Sequence, residues 1–251
     1  MKDLADAHTH KPELVGRRAL VTGGTTGIGR AIAVLLASCG VRVFVCGTDP
    51  DHLHDALARI RDVGDGEGMI ADVGDPAALA GLFDAAVAHL GGLDIVVVNA
   101  GVPAGALAET DPDAMRRQVG VDFVAYLATA QHAATRMGAG SDIILIGSTT
   151  AESRKGGSSI YVAAKSGIQG FATSLRRELA EMDIKVGLIE PGFTGADFHH
   201  PDFDDEAQRR HIAEDRMLRA EDIAVAAHAM LTQPRRAAMS LIRVETRLEH
   251  P

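Results

Sequence analysis

The sequence predicts an α/β protein: a doubly wound parallel sheet of about seven strands with helices on both faces. Three observations carry this expectation. From Arg18 onwards, short apolar runs rich in β-branched residues alternate with longer helical patterns. Four of those runs are almost continuously apolar, as strands buried on both faces must be. Helix-starting signals stand before the intervening segments, among them Asp75-Pro76 and Asp111-Pro112, where a capping side chain precedes a first-turn proline.

In chain order, Ala19-Leu20-Val21 reads as the first strand, followed by a helix near 27–39. Val41 to Cys46 and a helix near 50–62 come next, then Gly68 to Ala71 and a helix near 76–90. Ile95 to Val98 precedes a long helix near 112–137, and Ile143 to Ile146 precedes another near 160–181. Lys185 to Ile189, a helix near 220–232 and Met239 to Val244 complete the series. Residues 1–13 read as a polar tail, and residues 14–251 as one domain without linker, composition shift or internal repeat.

The 251 residues are 46% hydrophobic, enough for a substantial core, and carry a formal net charge of −9. An acidic chain without a Lys/Arg cluster is a poor partner for nucleic acid. Cys39 and Cys46 form neither a disulfide framework nor a zinc spacing. The opening MKDLADAHTHKP has no apolar centre, so no secretory signal is expected. No stretch reaches the ~20 apolar residues of a membrane helix. A cytoplasmic protein without membrane or nucleic-acid partners is the expectation.

The first strand runs into Thr22-Gly23-Gly24-Thr25-Thr26-Gly27-Ile28-Gly29, and a helix follows directly. Glycine permits the sharp turn and removes the Cβ between amide and ligand. The helix N-terminus then offers N–H groups and a positive dipole end to a diphosphate. A glycine turn placed after the first strand of a βαβ series points to dinucleotide binding rather than to an ordinary tight turn.

Farther along, Tyr161 and Lys165 share one face of a predicted helix start. Tyrosine, with a free pKa of ~10, is a poor base at neutral pH, but a nearby ammonium favours its phenolate. Such a tyrosine can exchange a proton with a substrate oxygen. Ser148 stands thirteen residues before Tyr161, at the end of the fifth strand.

Taken together, these residues resemble the short-chain dehydrogenase/reductase family, over about residues 16 to 244. The resemblance implies a Rossmann-type fold of the single-domain kind. Thr22 to Gly29 matches every fixed position of the family's TGxxxGxG turn, so Gly23, Thr25, Thr26, Gly27, Ile28 and Gly29 are implied to hold the dinucleotide. Asp72-Val73 stands where the family receives the adenine amino group. Asn99-Ala100-Gly101 looks like its NNAG motif, with Val98 in place of the first Asn. Pro191-Gly192 matches its PG motif, and Thr194 is implied to contact the nicotinamide side. Ser148, Tyr161 and Lys165 match the catalytic set: Ser148 would bind the substrate oxygen, Tyr161 act as general acid/base, and Lys165 lower its pKa and position the cofactor ribose. Asp122 stands where the family has a catalytic Asn, adding a charge that could pair with Lys165 or be protonated if buried. A milder proton relay through Asp122 is expected.

Cofactor choice should be read at the second strand's end, at Gly47, Thr48 and Asp49. A carboxylate at the strand tip would exclude a 2′-phosphate and an arginine would welcome it. Gly47 and Thr48 supply neither. Asp49 suits the cap of the next helix, while Arg30 and Arg42 are candidate phosphate partners. Absence of the excluding carboxylate tips the expectation slightly to NADP(H) over NAD(H).

On the substrate side, Gly195 to Leu218 is polar, and His199-His200 with Asp202, Asp204 and Asp205 reads as a solvated loop rather than a metal site. Arg154 and Lys155 read as an exposed basic turn, and Phe193, Phe198 and Phe203 are the available aromatics. The expected function is an NAD(P)-dependent oxidoreductase interconverting a secondary alcohol and a ketone, more as a ketoreductase. The alternative is a non-catalytic dinucleotide-binding sensor or assembly protein; a dehydratase or epimerase ranks lower for want of a larger C-terminal region. The resemblance also implies a homotetramer or dimer through the helices near 112–137 and 160–181 and the last strand.

Overall fold

The computed structural model describes residues 12–103, 105–154, 156–195 and 204–248. Its strands are β1 (Arg18–Thr22), β2 (Arg42–Gly47), β3 (Gly66–Ile70), β4 (Ile95–Val98), β5 (Asp142–Ile146), β6 (Lys185–Pro191), β7 (Thr194–Gly195), β8 (Leu218–Arg219) and β9 (Leu241–Val244). Its helices are α1 (Gly27–Ser38), α2 (Pro50–Val63), α3 (Pro76–Leu90), α4 (Pro112–Val119), α5 (Ala125–Ala134), α6 (Thr150–Ser153), α7 (Ser159–Glu178), α8 (Asp205–Ala213) and α9 (Ala220–Leu231).

Seven strands form the expected parallel sheet in the order β3-β2-β1-β4-β5-β6-β9. The order reverses beside β1, between β1 and β4, which opens a crevice at the carboxyl ends of the strands. Alternation along each strand divides the core. Leu20, Phe44, Val96 and Val98 pack on one face with α3, α5 and α7 residues. Val21, Val43, Val45 and Val97 pack on the other with α1 and α9.

The helix starts follow from local chemistry. Asp49, Asp75 and Asp111 each accept two N–H groups from the following turn, ahead of a proline that has none to offer. Asp204 does the same work for α8, accepting from Ala207 N at 2.8 Å. That helix lies where the sequence reading expected only a loop. The small parallel pair β7–β8 was not expected either.

The long helix near 112–137 is not continuous. A π-helical turn at Gly120–Val124 separates α4 from α5, and α5 ends at Ala134. The helix near 160–181 ends at Glu178 and gives way to a 3₁₀ turn at Ala180–Met182. β3 begins at Gly66, earlier than its apolar run. Among the described residues, no helix is long and apolar enough to cross a membrane, and no group of three His, Cys, Asp or Glu could hold a metal ion. Tail residues 1–11, Lys155, Phe198, His199, His200, Asp202 and Phe203 lie outside the described residues.

Candidate active site

The glycine turn follows from packing as much as from backbone freedom. Gly23 adopts φ +62°, and a Cβ there would stand 2.8 Å from Ala100 Cα. A Cβ on Gly29 would stand 2.2 Å from Gly23 O, so only glycine lets α1 begin this close to β1. Thr26 heads α1 without a side-chain cap, and the first turn carries no acid. Its N–H groups and dipole are thus left for an anion. This cradle, closed to any Cβ and open to charge, fits a dinucleotide diphosphate at Gly23, Thr25, Thr26, Gly27, Ile28 and Gly29.

Asn99, Ala100 and Gly101 border the same turn. Thr22 Oγ1 accepts from Asn99 N at 3.0 Å and from Ala100 N at 3.3 Å. Asn99 Nδ2 returns two bonds, to the Thr22 and Gly23 carbonyls, each at 3.1 Å. The β1 and β4 ends are thereby locked at the crevice.

At the β2 tip, a Cβ on Gly47 would stand 2.2 Å from Thr25 Oγ1. The missing carboxylate at Gly47 is therefore dictated by Thr25. Thr48 follows, and Asp49 caps α2, with the His52 and Asp51 amides holding its carboxyl below its usual range. Arg30 is paired to Asp55 at 2.8 Å. Arg42 is corrected as a phosphate candidate: it stands at the amino end of β2, bonded to Asp65 and to the His89 and Leu90 carbonyls, at the opposite edge of the sheet. Asp72 accepts from Gly74 N and from Arg117, both at 2.9 Å. Its burial acts to raise the carboxyl pKa, but the Gly74 amide and Arg117 together hold it below the usual range. Val73, beside it, is buried.

Ser148, Tyr161 and Lys165 come together beyond the carboxyl end of β5. Ser148 Oγ accepts from the Thr150 hydroxyl at 2.9 Å and stands beside the Tyr161 phenol, whose pKa it acts to lower. Lys165 is 4% exposed. Its Nζ donates to Tyr126 Oη at 3.0 Å and to Ile146 O at 3.1 Å. It stands 5.5 Å from the Tyr161 ring centroid and 4.4 Å from that of Tyr126.

Burial pushes the Tyr161 phenol up to about 12, the Asp122 charge adds to the rise, and Ser148 opposes it. Lys165 itself is pushed down to about 8 by burial, against the attraction of Asp122.

Asp122 sits in the π-helical turn and is 0% exposed. Its Oδ1 accepts from Val102 N at 2.9 Å, while Oδ2 is buried without a hydrogen-bond partner among the described residues. Burial raises its carboxyl pKa, against Lys165 and the Val102 amide. It therefore reaches Lys165 through charge, without a direct ion pair among the described contacts.

Pro191 and Gly192 close the carboxyl end of β6: Pro191 O accepts from Thr149 N at 3.0 Å, and Gly192 N donates to Val244 O at 2.7 Å. Thr194 Oγ1 donates to Gly192 O at 3.0 Å, and Thr194 pairs with Leu218 in the small sheet. Arg154 is an exposed turn residue in the left-handed region, φ +50°.

Sequence reasoning missed Tyr126, Thr150 and the buried Glu190. Tyr126 stands four residues after Asp122, a spacing that could have flagged it. Glu190 binds Gln169 at 3.0 Å and Arg243 at 3.0 Å, and Arg243 also reaches Glu152. This network ties α6, α7, β6 and β9 together behind the site.

The sequence profile of the family described as short chain dehydrogenase matches residues 17–207. The chain is 34% identical over 196 residues to the 3-oxoacyl-(acyl-carrier-protein) reductase FabG of Escherichia coli (strain K12), covering 76% of this chain and 79% of that protein. It is 35% identical over 182 residues to cis-4-hydroxycyclohexanecarboxylate dehydrogenase of Sinomonas cyclohexanicum, covering 70% and 73%. Among solved structures, a short chain dehydrogenase from Burkholderia cenocepacia J2315 in complex with NADP superposes with a TM-score of 0.83 at 32% identity, covering 93% of this chain and 98% of that one. A metagenomic blue fluorescent protein in complex with NADPH gives 0.81 at 28% identity, covering 94% and 98%.

Proposed function

The chain belongs to the short-chain dehydrogenase family, and from that premise we propose that this oxidoreductase works as an NADP(H)-dependent ketoreductase on a small-molecule ketone. The observation that carries the reading is the meeting of Ser148, Tyr161 and Lys165 beyond the carboxyl end of β5, with the Lys165 ammonium 5.5 Å from the Tyr161 ring. The relative named as a 3-oxoacyl reductase supports the reductive direction, in which the Tyr161 phenol delivers the proton.

The residues divide the work as follows. Ser148 and Tyr161, side by side beyond β5, offer two O–H groups to one substrate oxygen. Their bonds strengthen as that oxygen gains charge, which lowers the barrier more than it aids ground-state binding. Tyr161 then passes its proton to the oxygen. The Lys165 ammonium, one helical turn away, accommodates the phenolate left behind. When bound, the reduced nicotinamide supplies the hydride. Gly23, Thr25, Thr26, Gly27, Ile28 and Gly29 would hold its diphosphate, Asn99, Ala100 and Gly101 the nearer ribose, and Pro191, Gly192 and Thr194 the nicotinamide side. Asp72 with Val73 would meet the adenine, and Gly47, Thr48 and Asp49 border its ribose. At Gly47 no carboxylate opposes a 2′-phosphate, and relatives solved with NADP and NADPH support that choice.

Tyr161→Phe is the test. Turnover of a ketone panel with NADPH should fall by about 10²–10⁴-fold, with NADPH affinity measured by calorimetry unchanged within about twofold. Full turnover in that variant would refute the assignment. A second reading, a non-catalytic dinucleotide-binding protein, is favoured by one observation: Asp122 lends Lys165 and Tyr161 a buried carboxylate. Tight NADPH binding by the wild type with no turnover of any carbonyl would select it.

Residues 14–251 are proposed to act as one domain, with 1–13 a tail, in a cytoplasmic homotetramer or dimer. Val124 on the π-helical turn is 55% exposed and Leu241 on the edge strand 45%, and both suit contact with another copy.

A further inference from the structure

We infer that Tyr126 is a positioning residue of this site, whose hydroxyl holds the Lys165 ammonium at the carboxyl end of β5 and keeps it charged there. The inference rests on the reductase reading for its kinetic consequence, and on geometry for its substance.

Tyr126 lies on α5 and is 1% exposed. Its hydroxyl donates to Ile146 O at 2.9 Å and accepts from Lys165 Nζ at 3.0 Å. The polarity has one solution. An ammonium has donors only, so the phenol must accept from it and send its own hydrogen to the carbonyl. The Ile146 carbonyl takes a second donor, Lys165 Nζ at 3.1 Å, so three groups close a small triangle. The Tyr126 ring lies 4.4 Å beneath the ammonium, adding the attraction of its π face.

A buried ammonium needs such support. Burial penalises the charge, and the described charged groups around Lys165 are few. Asp122 faces it from the π-helical turn, and Tyr161 from its own helix. On the other elements packed against α7, the charged side chains are engaged elsewhere: Arg116 with Asp113 and Arg117 with Asp72 on α4, Glu152 with Arg243 on α6, and Glu190 with Arg243 and Gln169 on β6. Tyr126 itself stays protonated. Burial lifts its pKa well above the ordinary value, and the neighbouring Tyr161 and Asp122 charges add to the rise. The two tyrosines of the chain therefore differ in kind. Tyr161 has its proton available to a substrate, whereas the Tyr126 proton is committed to a backbone carbonyl.

Tyr126→Phe removes one oxygen and leaves the ring in place. Two readouts test the inference. The first needs no activity: the pH titration of Lys165 followed by NMR in protein labelled with ¹³C-lysine, its resonance assigned with Lys165→Arg. The chain has only five lysines, so the spectrum is sparse. The Lys165 midpoint should move down by about one pH unit in Tyr126→Phe, the loss of one hydrogen bond to a charged group. The second is ketone reduction with NADPH. The alkaline limb of kcat should move down by about one unit, with kcat falling about tenfold above neutrality and KM for the ketone little changed.

An unmoved Lys165 midpoint with a superimposable kcat profile would overturn the inference. A lower Tm with both readouts unmoved would also overturn it, by making Tyr126 a packing residue only. If the wild type turns over no ketone, the reductase reading fails, and the Lys165 titration alone still decides whether Tyr126 holds the ammonium.

Discussion

Asp122 is the residue on which this site turns. It has no exposure, one oxygen bonded to the Val102 amide and the other unpartnered among the described residues. Its negative charge raises the pKa of Tyr161 and of Lys165 alike. Asp122→Asn keeps an oxygen for Val102 and removes the charge. Both groups should then lose their protons more readily, so the alkaline limb of the kcat profile should move to lower pH, by about one unit. The sign is unambiguous because a lost negative charge disfavours protonation of an acid and a base equally. A profile that stays in place would mean that Asp122 is already protonated throughout the working range. Sequence spacing was enough to find Asp122, Ser148, Tyr161 and Lys165. It did not find that Lys165 gives its hydrogen bonds to Tyr126 and Ile146, because the partner arrives from a helix 39 residues away in sequence.

At the scale of the element, the β2 tip shows how one turn constrains another. Gly47 has no room for a Cβ because Thr25 occupies the space. Gly47→Ala should therefore cost about 1–3 kcal/mol in denaturant unfolding. Thr25→Ala in the same chain should recover most of that loss, a coupling that independent sites would not show. The double variant Thr25→Ala/Gly47→Asp should also move cofactor preference, read by calorimetry, from NADPH to NADH, since the new carboxylate would repel a 2′-phosphate. Unchanged preference would remove the β2 tip from the specificity argument. The helix containing Asp122 makes the same point about elements. Its apolar periodicity runs on past residue 119, so the sequence reads as one helix, yet the chain inserts a π-helical turn at Gly120–Val124. Such turns are frequent at functional sites, and this one carries Asp122. The short helix α8 escaped for the opposite reason. Its residues Asp205–Ala213 are polar and none is buried, so no apolar stripe announced it.

For the whole molecule, the sheet order places the glycine turn, Asn99, Ser148 and Pro191 at the carboxyl ends of neighbouring strands β1, β4, β5 and β6. Exposed apolar residues include Met115 and Val119 one turn apart on α4, Val124 beyond them, and Met239 and Leu241 at or just before the edge strand. Sedimentation should show a tetramer or dimer, and Val119→Asp with Val124→Asp should shift it to smaller species with helical content retained. A monomeric wild type would end the assembly proposal.

The sequence by itself determined the parallel α/β architecture, the helix starts at Asp49, Asp75 and Asp111, the glycine turn and the placing of Ser148, Tyr161 and Lys165 as candidate reacting groups. These are local facts: a cap, a turn and a period are written in consecutive residues. Only the tertiary structure decided the charge balance of the site, the exclusion of a side chain at Gly47 by Thr25, the removal of Arg42 to the opposite edge, and the tie between Tyr126 and Lys165. Each of these depends on a distance between residues far apart in the chain. Burial then magnifies the charges that meet there, because little water remains to screen them.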